Sequence, residues 1–102
     1  MTTLQQISDK LNDKIPSNFS KSMMDIDIGD YDFDQVKQFD DEGFLYLYSG
    51  KDPNVRLMFN EDRMAAILYI KKVDNVEATS WRLGQKHNRT FKLEELSSEI
   101  FE

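Results

Sequence analysis

The stretch "FLYLYSGKDPNVRLMFNEDRMAAILYIKKV", residues 44–73, decides the fold of this chain. It contains three runs rich in aliphatic and aromatic residues, FLYLYS, VRLMFN and MAAILYIKKV. Between the runs lie GKDPN and NEDR, whose composition is typical of tight turns. The pattern predicts three consecutive strands of an antiparallel β-meander.

The first of these strands is apolar on both faces. Aromatic residues at positions 44, 46 and 48 alternate with two leucines, a pattern typical of a central strand that is packed on both sides. The alternative is an exposed aromatic platform, which in a negatively charged chain suits a protein partner better than single-stranded nucleic acid. This alternative gives a secondary role in partner binding to Tyr46, Tyr48 and Trp81. The tryptophan fits a core position as well.

Helical patterns flank the strands. In TTLQQISDKLNDKI, residues 2–15, apolar residues recur at spacings of three and four, which predicts a helix capped by Thr2 or Thr3 and stopped by Pro16. After a loop at DNVE, ATSWRL predicts a further strand, and TFKLEELSSEIF predicts a C-terminal helix capped by Thr90. In this helix, the residues predicted to face inward are Leu93, Leu96 and Ile100. The elements predict a single α+β domain over residues 1–102, with an N-terminal helix, an antiparallel meander of four to five strands and a C-terminal helix.

The net charge of −6 comes from one segment. Residues 25–42 hold eight acidic residues and one lysine, a net charge of −7, while the rest of the chain holds eleven acidic and twelve basic residues, a net charge of +1. Conversely, residues 80–93 contain four basic residues, one histidine and no acidic residue. The chain is therefore electrically polar as well as acidic.

The acidic segment starts with DIDIGDYDFD, residues 25–34, in which aspartates alternate with apolar residues except at Gly29. In an unbroken strand, the aspartates before and after the glycine would point to opposite faces. A glycine bulge restores one common direction. The sequence therefore predicts a strand with all five aspartates exposed and with four residues turned to the core: Ile26, Ile28, Tyr31 and Phe33.

The chain after this strand has two possible structures. The strand is predicted to continue through QVKQF and to turn at DDEG, residues 40–43, into FLYLYS, because four residues suit a hairpin loop. The alternative is a short helix over DFDQVKQFDDEG, capped by Asp32 and ended by Gly43. That helix would crowd three acidic residues at its negative dipole end. We therefore favour the hairpin.

Three interpretations of the aspartate row are open. The first is a solvated strand face that protects an edge from pairing, since carboxylates about 6.6 Å apart repel by only about 0.5 kcal/mol in water. The second is a mimic of a nucleic-acid backbone, at about half the charge density of one DNA strand. The third is a calcium loop. It fits the EF-hand pattern poorly, because Gly29 and Asp30 stand in reversed order and Val36 occupies the position of the bidentate glutamate.

Catalytic groups are sparse. His87, the one histidine of the chain, lies in the polar stretch GQKHNRT, which is predicted to be an exposed loop, and the chain has no cysteine. The stretch SGKD lacks the earlier glycine of a phosphate-binding loop. We expect no enzymatic activity, no cofactor and no metal site. The lack of cysteine, of a signal peptide and of a long apolar run leads us to expect a cytoplasmic protein.

Together these patterns predict a small acidic protein-binding module, an inhibitor or decoy that occupies the basic site of a nucleic-acid-handling protein by charge mimicry. The expected partner is a protein with a basic surface, such as a nuclease or a defence effector, and we expect no direct binding to nucleic acid or membrane. The alternative is a structural or assembly protein that uses its aromatic strand face. The expected partner-binding residues are Asp25, Asp27, Asp30, Asp32, Asp34, Asp40, Asp41 and Glu42.

Overall fold

A computed structural model describes residues 3–11, 24–29, 31–38, 44–60, 63, 65–82 and 85–95. Within these ranges lie the N-terminal α-helix α1 (Leu4–Lys10), six strands and a 3₁₀ turn, Leu93–Glu95. The strands are β1 (Gln35–Gln38), β2 (Phe44–Tyr48), β3 (Val55–Asn60), β4 (Ala65–Lys71), β5 (Asn75–Arg82) and β6 (Gln85–Lys92). An antiparallel sheet with an N-terminal helix agrees with the predicted α+β class. None of the helices within the described ranges has the length and apolar character needed to cross a membrane.

Helix α1 begins after Thr3 because a capping box satisfies its first free N–H groups. The hydroxyl of Thr3 accepts a hydrogen bond from the N–H of Gln6, and the Gln6 side chain accepts one from the N–H of Thr3 at 2.8 Å. Leu4 and Ile7 are buried, as their spacing predicts. The helix ends at Lys10, before the predicted stop at Pro16, and residues 12–16 lie outside the described part of the chain.

The sheet is a meander in chain order, β1-β2-β3-β4-β5-β6, and all neighbouring strands are antiparallel. This order confirms the three strands predicted within residues 44–73. It also confirms the predicted hairpin, because Gln38 pairs with Leu45 and Gln35 pairs with Tyr48. The alternative helix over residues 32–43 is wrong, since β1 lies inside that range.

Each face of the sheet carries its own core, because successive strand residues point to opposite sides. On the side that we call the helix face, strand residues pack with α1 and with residues 24–33. The buried strand residues of this face are Leu47, Val55, Leu57, Phe59, Ala66, Leu68 and Trp81. The opposite side, the tyrosine face, has a second buried cluster of Tyr46, Met58, Tyr69, Val76 and Ala78. Strand β3 is buried at all six positions and is therefore the centre of the fold.

The C-terminal part of the prediction needs correction. Strand β6 occupies the stretch that was predicted as a loop around His87 and as the beginning of a helix. Thr90 lies inside β6 instead of capping a helix, and Leu93, predicted to face inward, is 38% exposed. Eight residue pairs join β6 to β5, so the sheet ladder overrides the helical spacing of this sequence. The structure thus has six strands instead of four to five, and residues 96–102, with Leu96 and Ile100, lie outside the described residues.

Candidate functional site

The alternation predicted for residues 25–34 is present wherever the structure describes them. Ile28 and Phe33 are each 1% exposed, and Ile26 and Tyr31 are half-buried against the same core on the helix face. Burying a side chain such as Phe33 contributes about 1.5–3 kcal/mol, so these residues hold the segment against the sheet. The described aspartates of this segment are all exposed: Asp25, Asp27, Asp32 and Asp34. Asp30 lies outside the described residues.

Gly29 lets the aspartates on both of its sides point outward. Its φ of +87° lies in the left-handed region that side chains rarely adopt. Its N–H donates a 2.9 Å hydrogen bond to Oδ1 of Asp27, which steadies the turn. The direction of the side chains therefore changes at the predicted residue, although not through a β-bulge.

The backbone of this segment differs from the predicted strand. Outside β1 it has no strand ladder among the described residues, and it is held at two points. Asp27 forms an isolated antiparallel bridge with Thr3, and the N–H of Asp34 donates to the carbonyl oxygen of Tyr48 at 3.2 Å. The strand prediction for residues 25–34 is therefore wrong, because anchoring by buried side chains replaces a ladder. A paired strand and an extended segment anchored by its side chains have the same burial pattern, so the sequence does not distinguish the two structures.

Lys10 is a neighbour of the aspartate row that the sequence pattern does not predict. Its ammonium group forms a salt bridge with Oδ1 of Asp32, and both side chains are about half exposed. The hydrogen bond from Lys10, together with its charge, lowers the pKa of the Asp32 carboxyl below its usual value of 3.8. Lys10 is an exposed residue in the last turn of α1. Nothing in the local sequence pairs it with a residue twenty-two positions later.

The acidic hairpin tip belongs to the same predicted site. Asp40, Asp41 and Glu42 lie between β1 and β2 but outside the described residues. The hairpin itself places the two strands that flank them side by side. The described acidic residues of the candidate site are therefore Asp25, Asp27, Asp32 and Asp34.

The three aromatic residues that were predicted as a secondary binding surface are mostly buried. Tyr46 is 1% exposed in the core of the tyrosine face, and Trp81 is 9% exposed in the core of the helix face. Tyr48 is half-buried, with the Arg56 guanidinium 5.7 Å from its ring centroid. Burial also raises the pKa of Tyr69 on the same face. Tyr46 and Trp81 therefore do not form one exposed platform, because they point to opposite faces of the sheet.

The described residues offer little for metal or acid–base chemistry. No three of their His, Asp or Glu side chains lie close enough together to hold a metal ion. Among the described aspartates, Asp27 and Asp32 already accept hydrogen bonds, from Gly29 and Lys10. His87 is exposed on β6 instead of lying in the predicted loop.

Comparison of this chain with family models, with curated proteins and with solved structures finds no match.

Proposed function

We propose that this protein binds the basic surface of a protein partner through the outward carboxylates of residues 25–34, and thereby acts as an inhibitor or decoy. The observation that carries the proposal is the alternation within the segment. Every described aspartate of the segment is exposed, while the apolar residues between them hold the backbone to the sheet. A row of charges that is already ordered loses less conformational entropy on binding than a flexible acidic tail.

The target class follows from the charge of the segment. Residues 25–42 carry a net charge of −7 in a chain whose remaining residues sum to +1. Such a concentrated charge speeds encounter with a basic groove and orients the protein toward it. Proteins that handle nucleic acids, such as nucleases and defence effectors, present grooves of this kind. We assign the partner to this class because a basic groove complements the negative charge of residues 25–42.

Lys10 affects how the row would engage a partner. Its salt bridge with Asp32 joins two half-exposed side chains, and exposed pairs of this kind contribute little to stability. A basic side chain of the partner can therefore replace Lys10 at little cost. The alternative function, assembly through the aromatic strand, has less support because Tyr46 is 1% exposed.

The test compares two variants that change the net charge equally. The first, D25N/D27N/D34N, neutralises three exposed acids of the row, and its amide side chain at position 27 keeps an oxygen that accepts the Gly29 N–H. The control, D74N/E94Q/E95Q, removes three exposed acids outside the row. Each protein is immobilised and exposed to extract of its native cells, and the protein that salt elutes from the wild type is identified. Its association rate is then measured at low and high salt.

We expect the row variant to associate about tenfold more slowly at low salt, with the difference shrinking at high salt, because exposed charges act mainly on the encounter rate. The control should behave as the wild type does. Equal rates and equal salt dependence for the wild type and the row variant would reduce the aspartates to a solvated surface. Equal slowing in both variants would assign the effect to net charge alone.

A further inference from the structure

The tyrosine face contains a groove at the end of the sheet where β3 turns into β4. Its volume is about 640 Å³, within the range of about 300–1,000 Å³ that is typical of small-molecule sites. It is lined by residues of β4, β5 and β6, together with Phe44 and Arg63. This surface lies on the opposite side of the sheet from α1 and the aspartate row.

One wall of the groove is a block of four polar side chains on β5 and β6. The strand register pairs Arg82 with Gln85 and Ser80 with His87. Side chains of directly opposed residues start about 4.5–5.5 Å apart, and all four of these residues share one face of the sheet. Guanidinium, amide, hydroxyl and imidazole groups can all donate hydrogen bonds. The block therefore presents several donors toward one small volume.

The opposite wall is apolar. Ala65 pairs with Arg82 and Ile67 pairs with Ser80, so β4 places two aliphatic side chains directly beside the donor block. The half-buried ring of Phe44 continues this wall. A groove with donors along one side and hydrocarbon along the other is suited to a ligand that is polar at one end.

Arg63 lies at the edge of the groove, and its contacts include one through the backbone and one through the guanidinium group. Its N–H donates a 3.0 Å hydrogen bond to the side-chain oxygen of Asn60, which is 1% exposed, and its guanidinium lies 5.6 Å from the Phe44 ring centroid. No described carboxylate pairs with Arg82, and none of the described residues lining the groove is acidic. The described lining of the groove is therefore basic within an acidic protein.

From this arrangement we infer that the groove binds a small organic anion, a phosphate ester or carboxylate attached to an aromatic or aliphatic body. The oxyanion is bound by Arg82 and His87, since a guanidinium group forms strong charge-assisted hydrogen bonds with such oxygens and an imidazole N–H can donate another. The apolar body packs against Ile67 and Phe44. A polyanion such as nucleic acid is disfavoured, because the chain carries a net charge of −6.

The test is a titration of the ¹⁵N-labelled protein followed by NMR. The probes are phenyl phosphate and, separately, phenylacetate, which distinguish a phosphate from a carboxylate ligand. Inorganic phosphate supplies the anion alone, and benzyl alcohol supplies the aromatic ring without charge. We expect at least one aromatic anion to shift the amide signals of residues 65–67, 80–82 and 85–87, with a dissociation constant on the order of 1 mM or below. Inorganic phosphate alone and benzyl alcohol alone should each bind several times more weakly than the aromatic anion.

Three variants locate the site. Gln85→Glu places a carboxylate opposite Arg82, where an opposite-charge pair leaves the sheet intact but neutralises the donor block. Arg82→Gln removes the central guanidinium. Arg89→Gln, the control, removes the same charge from the same face outside the groove, where Arg89 covers Phe91 at 4.6 Å. We expect the first two to weaken binding at least about fivefold and the control to change it less than about twofold.

Several outcomes would overturn the assignment. Signal shifts outside the groove, or no shift at about 10 mM of either aromatic anion, would show that no such site exists. Equal weakening by Arg82→Gln and Arg89→Gln would indicate general charge attraction. Binding of benzyl alcohol as tight as that of the anions would indicate an apolar pocket without anion recognition. None of these results depends on the aspartate row, so the groove and the proposed function are tested independently.

Discussion

At the scale of single residues, Gly29 determines the direction of the aspartate row. Five aspartates that alternate with apolar residues face one way only if the alternation is reset once, and the left-handed backbone at Gly29 provides that reset. The sequence predicted the position of the reset because glycine interrupts the alternation there. It did not predict the backbone geometry, since a β-bulge and a left-handed turn place the same side chains outward.

We predict that Gly29→Ala lowers the free energy of unfolding by about 1–2 kcal/mol, because a side chain at φ +87° is strained. The added Cβ would also lie 3.2 Å from Cε2 of Tyr31. Chemical denaturation measures the loss. Gly50→Ala is the matched control, since its Cβ would meet nothing closer than 3.7 Å, and we expect a change within about 0.5 kcal/mol. Equal losses at both glycines would contradict the role assigned to Gly29.

At the scale of elements, the sequence predicted the strands whose side chains are buried and missed the one whose side chains are exposed. β2, β3 and β4 have apolar runs because both of their faces are packed. β6 is an edge strand with seven exposed positions, so no apolar periodicity marks it. Its Thr90 resembled a helix cap because it precedes apolar residues at helical spacing. Tertiary pairing with β5 decided the outcome, and sequence pattern alone does not report such pairing.

Alanine substitutions at Thr3 and Thr90 test whether each residue caps a helix. Thr3→Ala should lower the free energy of unfolding by about 1 kcal/mol, because it removes the acceptor for the Gln6 N–H at the start of α1. Thr90→Ala removes the same atoms from an exposed position of β6, and we expect about 0.5 kcal/mol or less. Thermal and urea unfolding compare the two. A loss at Thr90 as large as that at Thr3 would support a helix cap at position 90.

At the scale of the whole molecule, the aspartate row and the groove lie on opposite sides of the sheet. The described aspartates of the row belong to the segment that packs on the helix face, whereas Arg63, Arg82 and His87 line a groove on the tyrosine face. The sequence showed both charge clusters. It could not show that Arg82 lies on the tyrosine face whereas Lys86 lies over the Trp81 ring on the helix face, because that depends on the register of β5 and β6. Tyr46 and Trp81 illustrate the same limit, since their opposite orientations follow from strand parity within the sheet.

We predict that millimolar calcium leaves the melting temperature unchanged relative to sodium chloride of equal ionic strength. An ion that binds the folded state raises its stability by mass action, but the described residues contain no group of three acidic or histidine side chains that could share an ion. Differential scanning calorimetry checks this. A rise of several degrees specific to calcium would favour the metal interpretation of the aspartate row over the protein-binding one.

The chain order of the meander also governs how the molecule folds. Each strand pairs with its neighbours in the sequence, so the sheet can grow hairpin by hairpin, and such local contacts favour rapid folding. Helix α1 and residues 24–33, in contrast, contact strands such as β3 that lie far along the chain. Closing such long loops has an entropic cost that is repaid only when the docking surface already exists. We therefore expect the carboxylate row to acquire its spacing late, so that a chain interrupted during folding has a sheet but no ordered acidic surface.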